Sequence, residues 1–150
     1  MIQAVIFDMD GLMFDTEALA KKGWLIAGRE MQLPITDEIV YRVVGMNAAS
    51  VRKTCQEYFG PEFDYDGFRA RVSDYMRRSL DEDGIPVKRG LPELLDYLKR
   101  NGCQTAVASS SPRATVEDYL RRAGMEGIFS ALICGDMVAW SKPAPDIFLR

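Results

Sequence analysis

The chain has 150 residues, 47% apolar and 27% charged, with 12 glycines and 7 prolines, a globular composition at a length that buries roughly 68–70% of the unfolded surface. The net charge of −3 offers no electrostatic footprint for nucleic acid or an anionic membrane. There is no histidine, so Ser-His-Asp and Cys-His catalysis and HExxH zinc chemistry are excluded, and acid–base work falls to Asp, Glu, Lys, Tyr or Cys.

Ala4-Val5-Ile6-Phe7 is a continuous apolar run that ends at Asp8. It predicts a strand buried on both faces, as parallel sheets supply. Helical patterning follows. Ala20, Trp24, Ala27 and Met31 share one face; Ile39, Val40, Val43 and Val44 mark a short second helix after Thr36. Asn47 reads as the N-cap of a third helix carrying Val51, Cys55, Tyr58 and Phe59, which Gly60-Pro61 stops. Phe68, Val72, Tyr75, Met76 and Leu80 mark a fourth. Residues 15–86 thus read as a four-helix insertion with no strand, and its aromatics Trp24, Tyr58, Phe59, Phe68 and Tyr75 as its core.

Leu91, Leu94, Leu95 and Leu98 then form a helix face ended by Gly102. Thr105–Ala108 is a second buried strand. Ser111-Pro112 reads as an N-cap with Pro at the first helical position, before the Val116, Tyr119, Leu120 and Ala123 face. Ala131–Cys134 is a third strand, and Pro145 is placed at the start of a last helix. Strands alternating with helices outside the insertion predict an α/β fold with a parallel sheet. Its core is discontinuous, residues 1–14 and 87–150.

Three well-separated cysteines, Cys55, Cys103 and Cys134, with no CxxC, point to free thiols in a reducing, cytoplasmic setting. The apolar run 4–7 is too short for a signal peptide, and no run approaches the ~20 residues of a membrane span.

Ligands of open parallel sheets bind beyond the carboxyl ends of the strands. There the sequence places Asp8 and Asp10, then Ser109, Ser110 and Ser111, then Lys142. Two carboxylates, a hydroxyl cluster and an ammonium suit phosphoryl transfer. One carboxylate attacks phosphorus, and the other moves protons. Hydroxyls and backbone N–H groups hold phosphoryl oxygens, and the lysine neutralises developing charge. Two carboxylates beside a phosphate call for a hard divalent cation, Mg²⁺.

Phe7-Asp8-Met9-Asp10-Gly11-Leu12, Val107-Ala108-Ser109-Ser110-Ser111 and Ser141-Lys142-Pro143-Ala144-Pro145-Asp146-Ile147-Phe148 resemble, in order, three motifs of the haloacid dehalogenase superfamily, in its β-phosphoglucomutase-like and phosphoglycolate-phosphatase-like branch. The helical insertion resembles that branch's cap. The resemblance implies a Rossmann-like core and a phosphatase of small phosphorylated metabolites, a sugar or nucleoside monophosphate, with Asp8 as nucleophile and Mg²⁺ ligand. Asp10 would be the general acid/base and a second metal ligand; Ser109, Ser110 and Lys142 would bind phosphate. It further implies hinges near 12–16 and 85–88, a monomer or weak homodimer, and a phosphomutase or a binding-only fragment as alternatives. In the cap, Arg42, Met46, Asn47 and Lys53 are candidate substrate contacts. Ala20 and Ala48 stand where the mutase carries a histidine and an arginine, which favours a phosphatase. The family's fourth motif, an acidic pair that completes the metal site, has no counterpart before Arg150. The chain is therefore read as truncated at its C-terminus, with its first strand left as a bare sheet edge.

Overall fold

The computed structural model describes every residue except Met1, Gly45, Asn47 and Ser141. The expected N-cap at Asn47 lies outside the described residues. The chain divides into two compact units, residues 1–16 with 84–150, and residues 17–83.

The first unit is built on three parallel strands in the order β1-β2-β3: β1 (Ala4–Phe7), β2 (Gln104–Ser109) and β3 (Ala131–Cys134). The register sets Phe7 beside Val107, Val107 beside Leu132, and Ser109 beside Cys134. Because side chains alternate along a strand, these residues share one face of the sheet. Phe7, Val107, Ser109 and Cys134 are buried there, and Phe7 meets Phe129 edge-on at 6.0 Å.

β1 departs from the expectation of burial on both faces. Its Ile6 is 50% exposed. Among the described residues β1 pairs with β2 alone, so it is an outer strand, and the face that carries Ala4 and Ile6 is not closed over. Helices α5 (Leu91–Arg100) and α6 (Arg113–Arg122) pack on β2 and β3 respectively. The short α7 (Asp146–Leu149) seats the buried Ile147. Pro145 occupies its N-cap position rather than its first helical position.

The second unit holds α1 (Thr16–Glu30, whose first residue belongs to the first unit), α2 (Asp37–Val43), α3 (Ala48–Phe59) and α4 (Tyr65–Glu82). Its core gathers Trp24, Ile39, Val40, Cys55, Phe68 and Val72. Phe68 is fully buried and meets Trp24 edge-on at 4.9 Å. Asp64 caps α4 by accepting from the Gly67 N–H. Tyr58 is the exception among the aromatics expected in the core: at the exposed end of α3 it is 44% exposed and leans on Phe59.

The two segments that bound the insertion are stapled together inside the first unit. Asp15 N–H donates to the Pro86 carbonyl and Lys88 N–H to the Met13 carbonyl. Phe14 and Val87 form an antiparallel bridge, and Lys88 pairs with Asp15 at 2.9 Å. No described helix is long and apolar enough to cross a membrane.

Candidate active site

Parallel strands present all their carboxyl ends on one edge, which is where the candidate site residues of this chain gather. The turn after β1 is anchored by burial: Met9, Met13 and Phe14 are fully inaccessible. The Met9 carbonyl accepts from both Met13 and Phe14, and Gly11 takes the left-handed conformation (φ 78°) that lets the turn close back on Phe14. With Met9 pinned inward, the flanking Asp8 and Asp10 point away from the core.

Lys142 reaches this turn from the loop after β3. Its Nζ lies 2.6 Å from Asp8 Oδ1 and 3.2 Å from the Ala108 carbonyl. The strand order explains both contacts. With strands about 4.8 Å apart, a side chain from beyond β3 must pass over the end of β2 to reach β1, and Ala108 supplies the acceptor on the way. Asp8 Oδ1 also accepts the Met9 N–H at 2.9 Å. Both contacts fall on the same oxygen, and Oδ2 takes part in neither.

Asp10 is held differently. Thr16 Oγ1 donates to its Oδ1 at 2.8 Å and Ser111 Oγ donates to its Oδ2 at 2.9 Å. Ser109 is fully buried at the end of β2, and its Oγ accepts the Ser111 N–H at 3.1 Å. Ser110 sits exposed at the crest of the same loop. Beneath it Gly135 donates its N–H to the Ser111 carbonyl at 3.0 Å. A Cβ on Gly135 would run into the Ser110 carbonyl, so the approach of the β3 loop to the β2 loop requires glycine.

Ser111 is not the N-cap of α6. The helix begins at Arg113, with Pro112 in the cap position and no side-chain cap bond from it. The Arg113 N–H is taken instead by the Asp136 carboxylate from the loop after β3, at 3.1 and 3.2 Å. A carboxylate at a helix N-terminus satisfies both the orphan donor and the dipole, which frees the Ser111 hydroxyl for Asp10. Sequence reading set Ser111 in the hydroxyl cluster at this edge but read it as the helix cap rather than as a partner of Asp10, and it missed Thr16.

The donor chemistry fits a hard divalent cation in part. Asp8 and Asp10 offer oxygen ligands at one strand end, the kind that Mg²⁺ takes. Both carboxylate oxygens of Asp10 are committed to hydroxyls, leaving its main-chain carbonyl as the donor, and no group of three or more acidic, His or Cys side chains suited to a metal occurs among the described residues.

The candidate cap residues are scattered. Within the second unit a cavity of about 240 Å³ is lined by Met46 together with Trp24, Val51, Glu17, Lys21 and Arg69, among others. Lys21 is tied to Asp37 at 2.8 Å and to the Tyr41 hydroxyl, and the Asp37 bond holds its pKa above the ordinary lysine value. Arg42 and Lys53 are exposed and line no part of this cavity; Lys53 faces Glu57 at 3.9 Å. Asn47 lies outside the described residues.

Comparison with known proteins gives the family. The sequence pattern of haloacid dehalogenase-like hydrolases matches residues 5–150. The chain is 29% identical, over 99% of its length, to a phosphorylated carbohydrates phosphatase of Thermotoga maritima, and 28% identical, again over 99%, to the β-phosphoglucomutase of Bacillus subtilis. It spans 68% and 67% of those two proteins. A crystal structure from Thermotoga maritima, provisionally described as a β-phosphoglucomutase, superposes with a TM-score of 0.78 at 29% identity, covering 99% of this chain and 68% of the other. With three parallel strands, an inserted helical segment and a pattern match over nearly its whole length, the chain belongs to the haloacid dehalogenase-like hydrolase family.

Proposed function

We propose that this chain is a Mg²⁺-dependent phosphatase of a small phosphorylated metabolite, a sugar or nucleoside monophosphate, working in two steps through phospho-Asp8. The observation that carries the reading is the Asp8–Lys142 pair at 2.6 Å, set at the same strand ends as Asp10 and Ser109. Lys142 holds Asp8 by Oδ1, which leaves Oδ2 to attack phosphorus. As the new O–P bond forms, the bond to the leaving oxygen breaks, and Asp10 gives its proton to that oxygen. Asp10, now a carboxylate, then takes a proton from the water that attacks phospho-Asp8. Phosphate leaves, and Asp8 and Asp10 return to their starting forms. Lys142, the Ser109 hydroxyl and the Ser110 N–H offset the charge that gathers on the phosphoryl oxygens. Bound Mg²⁺, held by the Asp8 carboxylate and the Asp10 main chain, would neutralise further charge there.

Similar identity to a phosphatase and to a phosphomutase supports a second reading, transfer to another hydroxyl of a sugar phosphate. Ala20 and Ala48 weigh against it, as set out from the sequence. Three free cysteines fit work in a reducing cytoplasm, as a monomer or weak homodimer.

The test is phosphate release from a panel of sugar and nucleotide monophosphates, with Mg²⁺ and with EDTA. Release is expected only with Mg²⁺ and is abolished in Asp8→Asn. Isomerised sugar phosphate with little free phosphate would select the mutase reading. A folded chain that binds these ligands without turnover would leave binding as its role.

A further inference from the structure

Asp10 is the residue asked to hold a proton in one step and lack it in the next, and its surroundings are made of hydroxyls. Thr16 contacts one carboxylate oxygen at 2.8 Å and Ser111 the other at 2.9 Å. Both hydroxyls donate to the carboxylate, one to each of its oxygens.

Ser111 is fixed from its main chain as well. Its N–H is on Ser109 Oγ and its carbonyl on Gly135 N–H. It therefore ties the end of β2, the loop after β3 and the carboxylate after β1 into one frame. We propose that Ser111 is a positioning residue for Asp10, holding its carboxyl group in one place. The inference rests on the phosphatase reading for what Asp10 does, but not for where Asp10 is held.

Ser111→Ala and Ser111→Thr test it. General acid–base catalysis contributes about 10²–10⁴-fold, and a misplacement on the order of 1 Å costs up to about 10²-fold. With Thr16 still in place, Ser111→Ala should lower kcat about 10- to 100-fold with KM little changed. Ser111→Thr, which keeps the hydroxyl, should restore most of it. In an Asp10→Asn background Ser111→Ala should lower the residual rate no further. Crystal structures supply a readout that needs no turnover: Asp10 should occupy one rotamer in the wild type and Ser111→Thr, and shift or split in Ser111→Ala. Asp10 unmoved in Ser111→Ala overturns the proposal, as does an equal rate loss in the Asp10→Asn background. Failure of the phosphatase reading shows separately, as wild-type chain that releases no phosphate, and the Asp10 rotamers then decide Ser111's role alone.

Discussion

Replacing Lys142 by Met keeps most of the length of the side chain and removes its charge. The ammonium touches two acceptors, Asp8 Oδ1 at 2.6 Å and the Ala108 carbonyl at 3.2 Å. Its cost to the fold is small. The Asp8 side chain is 46% exposed and that of Lys142 25%, so water can replace most of what is lost, and a pair of this exposure is worth about 0–1 kcal/mol. Its cost to turnover is large. Loss of one preorganised donor at a charge-developing centre costs about 10²–10³-fold in kcat, or about 2.7–4 kcal/mol. Asp8 also loses the contact that turns Oδ2 outward. Lys142→Met should therefore lower kcat for phosphate release by at least about 100-fold while moving the thermal midpoint by only a few degrees. Lys142→Arg should recover only part, because a planar fork does not reproduce a point charge between two acceptors. Steady-state kinetics beside a calorimetric melt makes the comparison. A Lys142→Met chain that turns over within threefold of the wild type would refute the role given to Lys142, and one inactive because unfolded at assay temperature would refute the ledger.

Cys55 is fully inaccessible, and burial pushes its thiol from the ordinary 9.0 up to about 11. A group whose folded pKa is raised contributes stability that is complete below the unfolded value and lost as pH climbs to the folded one. Cys55 should thus take roughly 2–3 kcal/mol from the unfolding free energy between about pH 9 and 11, the part of the slope that Cys55→Ala removes in urea titrations, while the Cys134 thiol and the Tyr65 phenol, also raised by burial, keep the rest; an unchanged slope refutes the assignment. In the native chain a thiol reagent should label the partly exposed Cys103 before the buried Cys55 and Cys134, which peptide mapping reads. Phe68→Ala empties a fully buried site against Trp24 and Phe63 and should destabilise the helical unit by about 3–5 kcal/mol, with loss of near-ultraviolet dichroism. Gly135→Ala forces the β3 loop off the Ser110 carbonyl and should cost about 1–3 kcal/mol in urea denaturation and lower kcat, since Ser111 shifts with it.

What the sequence made legible follows from local chemistry. Ala4–Phe7 ends at Asp8 because an apolar strand cannot continue into a carboxylate without burying it, and the observed β1 has those bounds. The helical stretches were readable because 3.6-residue spacing of Trp24, Phe68 and Val72 serves one core. Placing Asp8, Ser109 and Lys142 on one edge needed only the inference that the strands run parallel. The misreadings share the opposite cause, a distant partner. Ser111 before Pro112 looks like a helix cap, yet its hydroxyl goes to a carboxylate 101 positions away, and Asp136 caps the helix from another loop. Thr16 opens α1, but its side chain turns back to Asp10. Ile6 has the composition of a buried strand residue, and its exposure depends on which strand lies beside β1. Arg42 and Lys53 carry charge near a cap turn, but helical phase puts them on solvent, whereas Met46 meets the cavity.

The separation of Asp8 from Lys142, 134 positions, says what the fold must accomplish. Closing a loop of that length costs conformational entropy, but the cost grows only with the logarithm of length, so the 67 residues of the helical unit (17–83) add little to it. What they could do is disturb the register of the strand ends. The stapled segments guard against that: Asp15 on Pro86, Lys88 on Met13 and Phe14 bridged to Val87 close the insertion's two ends onto each other. Met13 and Phe14 are also fully buried within the first unit. The turn that carries Asp8 and Asp10 is therefore fixed by its own unit, independently of the sequence between residues 17 and 83. A fold arranged in this way can exchange the inserted segment without disturbing the turn that carries Asp8 and Asp10.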